Sequence, residues 1–147
     1  FRAVRCDKLI LTVLQECIDT YLQTKSGQDS GSVPALDFIA TSVTTLQQRA
    51  EAILENLPEP VRHQCGVTPS TARTGGGTMP KSEIPSVAIS ITPTNVSVTK
   101  LAQRLRTATP ALVGMVVDGK IHLDLRTVFE HQDQLLTDSI IQAMEAS

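Results

Sequence analysis

Two short apolar stretches, Leu112 to Val117 and Lys120 to Asp124, are separated only by Asp118-Gly119. An Asp-Gly pair between branched apolar runs is the strongest short-range signal for a two-residue β-hairpin, because both positions tolerate positive φ. A hairpin alone is marginal in water and needs further strands or a covering helix. A third strand is legible at Pro85 to Thr92, where apolar and small polar residues alternate as in a half-buried strand. Helical repeats flank these strands. Val98 to Thr107 places Leu101 and Leu105 on one inward face, and Phe129 to Met144 carries Leu135, Leu136, Ile140, Ile141 and Met144 at three-to-four spacing. The expected class is therefore α+β: an N-terminal helical arm, then a small antiparallel sheet covered by helices.

The arm is read from two more periodic stretches. Asp7 to Leu22 predicts a helix with a broad apolar stripe of Leu9, Leu11, Val13, Leu14, Cys17, Ile18, Tyr21 and Leu22. The Gly- and Ser-containing stretch from Ser26 to Val33 marks a loop, and Ala35 to Ile39 a short apolar turn. Ser42 to Leu57 predicts a second helix with Leu46, Ala50, Ile53, Leu54 and Leu57 inward, closed by Pro58 and Pro60. Arg49, Glu51 and Glu55 would then decorate its solvated side. Val61 to Val67 is expected as a strand and Thr68 to Thr78 as a loop. Aromatics are only 3% of the chain and Trp is absent, so aliphatic packing must build the core.

Several chemistries are excluded. A formal net charge of −2 argues against a dedicated nucleic-acid-binding domain, which would carry a basic excess. No apolar run reaches the length of a membrane span. Cys6, Cys17 and Cys65 are odd in number and widely spaced, which suits small buried apolar residues rather than a disulfide framework. His63, His122 and His131 lack the close spacing of a metal site and do not cluster with the cysteines. The Gly75-Gly76-Gly77 run is no phosphate loop, because Pro80 stands directly before Lys81-Ser82 where that motif needs glycine. Asp124 and Arg126, two apart on a strand, are expected to share a face and to make an ion pair with a neighbouring element.

The first residues hold the remaining charge pattern. Arg2, Arg5 and Lys8 recur at a spacing of three, which on a helix puts three cations on one face. Such an array is either a solvated basic edge or a seat for an anion. Arg2-Ala3-Val4-Arg5-Cys6-Asp7-Lys8-Leu9 resembles the Arg-Ala-Leu-Arg-x-Asp-Lys segment of the bacterial selenocysteine synthase (L-seryl-tRNA(Sec) selenium transferase) family. Two further stretches resemble that family in the same order. One is Gly75-Gly76-Gly77-Thr78-Met79-Pro80 with Glu83-Ile84-Pro85-Ser86. The other runs from Leu101-Ala102 and Arg104-Leu105-Arg106 through Pro110, Leu112-Val113-Gly114 and Asp118-Gly119-Lys120 to Leu123-Asp124-Leu125-Arg126-Thr127-Val128.

The resemblance implies the C-terminal portion of a fold-type-I pyridoxal-phosphate enzyme. Residues 1–25 would end the large domain, 26–60 would form a loop and linking helix, and 61–147 the small C-terminal α+β domain. The implied reaction converts seryl-tRNA(Sec) to selenocysteinyl-tRNA(Sec) with selenophosphate. The implied enzyme is cytoplasmic and homo-oligomeric, with no metal and no membrane contact. Arg2 and Arg5 become candidate anion-binding residues, since arginine offers forked donors that match tetrahedral oxyanions. Asp7 and Lys8 are expected to form an ion pair at the helix start. None of Lys8, Lys25, Lys81, Lys100 and Lys120 stands in the family's Ser-Gly-Asp-Lys-Leu-Leu-Gly-Gly context, so the pyridoxal-phosphate lysine is expected outside this chain. Two other readings remain open. One is a paralogous pyridoxal-phosphate lyase acting on an amino acid or amino sugar phosphate. The other is a stand-alone, non-catalytic α+β interaction module.

Overall fold

The computed structural model describes residues 6–25, 33–73 and 83–145. The chain forms two compact units, Phe1–Ala40 and Thr41–Ser147.

The first unit contributes α1 (Lys8–Lys25) and α2 (Pro34–Ala40). Asp7 starts α1: its Oδ1 accepts from the Ile10 N–H at 3.0 Å, satisfying one of the donors a helix leaves open at its first turn. The helix start is thus fixed by a cap rather than by the expected Asp7–Lys8 ion pair. At 100° per residue the apolar side chains of α1 sweep an arc of about 220°, twice the stripe of an ordinary surface helix. These side chains lie exposed, from Tyr21 at 43% to Leu9 at 77%. The short apolar turn expected at 35–39 is a helix instead. Pro34 stands at its first position, where the missing N–H costs nothing, and the Leu36 N–H bonds the Val33 carbonyl at 2.8 Å.

The second unit holds α3 (Val43–Glu55), α4 (Glu59–Arg62), β1 (Cys65–Arg73), β2 (Glu83–Ile91), α5 (Val98–Thr107), β3 (Met115–Val117), β4 (Lys120–Asp124) and α6 (Asp133–Glu145). The four strands form one antiparallel sheet in the order β1-β2-β4-β3. Ser42 and Ser97 cap α3 and α5, their hydroxyls accepting from Thr45 N and Lys100 N. Asp118 (φ 49°) and Gly119 (φ 73°) both adopt positive φ and close the β3–β4 hairpin as the sequence requires.

The core lies on one sheet face. Val87, Ile89 and Ile91 of β2 and Ile121 and Leu123 of β4 meet Leu46, Ala50 and Ile53 of α3, Leu101 and Leu105 of α5, and Leu136, Ile140 and Ala143 of α6. The strand expected at 61–67 and the loop at 68–78 need correction. Val61 belongs to α4, where it is buried, and the strand runs on to Arg73, paired residue by residue with β2. Its Thr- and Ser-rich half alternates toward the sheet face that carries no apolar core, so it lacked an apolar signature.

Arg49 also departs from the expectation of a solvated face. Its guanidinium lies nearly buried, donating to both Asp133 carboxylate oxygens at 2.9 and 2.6 Å and to the Val128 carbonyl at 2.9 Å. It ties α3 to the start of α6 instead of decorating a wet face.

Candidate functional site

The proposed anion ligands Arg2 and Arg5, and the Gly75-Gly76-Gly77 run, lie outside the described residues. The first described residues after the arginines are Cys6 and Asp7. Because α1 begins at Lys8, Lys8 is the only one of the three regularly spaced cations that α1 includes. Lys8 is exposed, and its carbonyl accepts from the Thr12 hydroxyl at 2.8 Å.

A second cluster sits on the sheet face opposite the core. By register, Ser86, Ala88 and Ser90 of β2 share this face with His122 and Asp124 of β4 and Met115 of β3. Asp124 is its organising residue. Its Oδ1 accepts from the Ser86 hydroxyl at 2.6 Å and from the Arg126 N–H at 2.9 Å, capping the 3-10 turn Leu125–Thr127. Arg126 is therefore not on a strand face with Asp124, as its spacing suggested, because β4 stops at Asp124. The Arg126 side chain is 96% removed from solvent and donates to the carbonyls of Thr41, at 2.9 Å, and Pro85. It joins the start of α3 to the edge of β2. The structural role expected for the Asp-Leu-Arg segment holds, with backbone carbonyls as partners.

The other titratable groups divide simply. His63 Nε2 lies 3.2 Å from Glu59 across one turn of α4, and the His131 ring stacks on Phe129 with centroids 5.3 Å apart. Cys6 and Cys17 are exposed, against the expectation of burial, while Cys65 is half-buried. Burial pushes the Cys65 thiol up to about 11. Among the described residues no three His, Cys, Asp or Glu side chains converge on a metal position, and no helix is long and apolar enough to cross a membrane.

Sequence comparison supplies what the geometry does not. The model of the L-seryl-tRNA selenium transferase family matches residues 1–129. The chain belongs to this family. Similar curated members include the L-seryl-tRNA(Sec) selenium transferases of Moorella thermoacetica, 30% identical over 99% of this chain and 31% of that protein, and of Aliarcobacter butzleri, 28% identical over 99% of this chain and 31% of that protein. The Aquifex aeolicus enzyme is 30% identical over 90% of this chain and 28% of that protein. The chain thus spans about a third of the length of these selenium transferases. The lyase and interaction-module readings find no support in this set.

Pyridoxal phosphate, the cofactor that the resemblance implies for selenium transferases, requires a lysine amine shielded from water for its Schiff base. Among the described side chains, Lys8, Lys100 and Lys120 are all exposed. None of the three fits that anchor.

Proposed function

We propose that this chain is the C-terminal part of a selenocysteine synthase. The whole enzyme converts seryl-tRNA(Sec) to selenocysteinyl-tRNA(Sec), taking selenium from selenophosphate. Pyridoxal phosphate, held by a lysine outside this chain, supplies the electron sink for that chemistry. The observation that carries the reading is the family match across residues 1–129, which includes the Arg2 to Lys8 segment. In this reading residues 1–25 complete the large domain and residues 61–147 form the small C-terminal domain. The enzyme is a cytoplasmic homo-oligomer.

Arg2 and Arg5 are the anion-binding residues of this proposal. Selenophosphate is a tetrahedral oxyanion, and a guanidinium stays charged at any working pH while presenting paired donors. Asp7, two residues after Arg5 in the sequence, fixes the start of α1 at Lys8 by capping it. A capping carboxylate also interacts favourably with the helix dipole.

The test is Arg2→Ala and Arg5→Ala in the full-length enzyme, assayed for selenophosphate-dependent conversion of seryl-tRNA(Sec). Loss of one charged hydrogen bond predicts a fall of roughly 10- to 150-fold in kcat/KM. Cofactor absorbance should be retained. Arg5→Lys should restore little, because a single ammonium cannot reproduce a forked contact. Full activity in both alanine variants would make the pair a solvated basic edge.

A further inference from the structure

β3 is bare on three sides. By register Met115 and Val117 point to the open sheet face, while Val116 shares the core face with Ile121. Val116 is nevertheless 54% exposed, because the buried core draws on β2 and β4 and includes no residue of β3. Val113, just before the strand, is 79% exposed. The third bare side is the edge itself, since β3 ends the strand order.

The hairpin turn dictates which backbone groups that edge presents. Asp118 and Gly119 both have positive φ, the type I′ geometry, so Val117 and Lys120 close the hairpin as a hydrogen-bonded pair. Bonded and non-bonded pairs alternate along an antiparallel ladder. Val116 and Ile121 therefore form a non-bonded pair, and the Val116 N–H and C=O point away from the sheet. Among the described residues neither group meets a backbone partner. The opposite edge of the sheet is different. β1 carries Pro69, which has no N–H to offer, and ends in the exposed Arg73–Glu83 ion pair. Proline and charge are the usual guards against edge pairing, and Met115, Val116 and Val117 include neither.

We infer that the β3 edge receives an extended strand from elsewhere in the enzyme polypeptide, which adds a fifth strand to the sheet. The inference rests on the preceding reading, in which this chain is the C-terminal part of a longer selenium transferase. Roughly two-thirds of each matched relative lies outside the matched region, so in that reading ample chain is available to supply the strand.

Size selects this occupant over a second copy of the chain. A three-residue edge buries far less than the roughly 800 Å² per partner of a stable complex between separate molecules. Separate molecules also lose translational and rotational freedom on meeting. A strand tethered to the same polypeptide avoids most of that loss, at an effective concentration on the order of millimolar. The outward N–H and C=O of Val116 then supply main-chain hydrogen bonds, and the apolar sides of β3 select a strand with uncharged side chains.

Hydrogen exchange tests the pairing directly. The Val116 amide is followed in this chain and in the full-length enzyme, with Met115, whose N–H faces β4, as internal reference. In the dilute isolated chain Val116 should exchange near the rate of an open amide, and Met115 more slowly. In the full-length enzyme Val116 should slow by at least about 100-fold. Met115→Lys puts a charge on the docking edge at a side chain that is 55% exposed, so the isolated chain should melt unchanged. In the full-length enzyme the same change should return Val116 to fast exchange. Equally fast exchange of Val116 in both proteins would overturn the proposal, and so would protection that survives Met115→Lys. Slow exchange already in the dilute isolated chain would mean that the chain covers its own edge. Slowing that grows with the concentration of the isolated chain would make a second copy the occupant. Either result also overturns the assignment. None of these readouts involves selenium transfer: an enzyme that fails the Arg2 and Arg5 test can still show the protection, and one that passes can lack it.

Discussion

α1 and α5 carry the same kind of sequence signal and end in opposite environments. In α5, Leu101 and Leu105 are 0% and 1% exposed. In α1, Leu14 and Ile18 occupy the same four-residue spacing and are 54% and 47% exposed. Periodicity therefore specifies which face of a helix is apolar, and a second element with a matching face decides whether that face is buried. The sheet supplies that partner for α5. The width of the apolar arc on α1 suits a helix enclosed on more than one side, which agrees with the proposed place of residues 1–25 in a larger domain.

The sharpest test of this contrast is a matched pair of truncations. Leu101→Ala removes a fully buried side chain and should cost about 2–5 kcal/mol, with a clear drop in the denaturation midpoint. Leu14→Ala should shift it by no more than about 0.5 kcal/mol. Equal costs would mean that α1 is packed in solution, and the comparison would break.

Arg126→Met comes next. It leaves the Thr41 and Pro85 carbonyls without their guanidinium donor in a buried place, so a loss of about 3 kcal/mol is expected by chemical denaturation. Gly114→Ala should cost about 1–3 kcal/mol by overpacking. A Cβ there would lie 2.7 Å from Ile121 Cγ2 and 2.8 Å from Leu123 Cδ2, on the strand that β3 must approach. A neutral result would show that the β3–β4 hairpin shifts freely against the core. Arg49→Ala belongs in the same range, since it strips Asp133 of a bidentate partner with 12% of the arginine side chain exposed.

What was legible in the sequence follows the same division. Asp118-Gly119, Leu101/Leu105 and the α3 stripe were read correctly because local chemistry decides them: a turn with positive φ, and two helix faces. β1 beyond Val67 was missed because Thr68, Ser70 and Ala72 sit on the face without an apolar core, where a strand has no hydrophobic alternation. Arg49 and Arg126 were misplaced because their partners, Asp133, Thr41 and Pro85, are 41 to 85 residues away. No spacing rule reaches that far. The Asp124 cluster left only a faint trace, a His and an Asp at i and i+2 of a strand, which alternation alone places on one face. Arg2 and Arg5 were singled out by motif, and the motif rather than geometry still carries their role.

The smallest effect concerns thiol chemistry and reads the same contrast residue by residue. Cys17 is exposed on α1, whereas Cys65 is half-buried beside the core, with its thiol raised to about 11. The thiolate is the reactive form, so at pH 8 a water-soluble disulfide reagent should label Cys6 and Cys17 quickly and Cys65 slowly. The corresponding stability term has a definite sign. A thiol whose folded value lies above its unfolded value of 9.0 keeps its full contribution below pH 9. It loses that contribution as pH rises toward 11, because the unfolded chain releases the proton first. Cys65→Ser should flatten the stability profile between pH 9 and 11. If instead Cys17 proves as slow as Cys65, α1 is covered in solution, and self-association should then appear by sedimentation velocity. Charged substitutions at Leu11, Leu14 and Ile18 should abolish that association while leaving the melting of the sheet unit untouched, because the core of that unit includes none of these side chains.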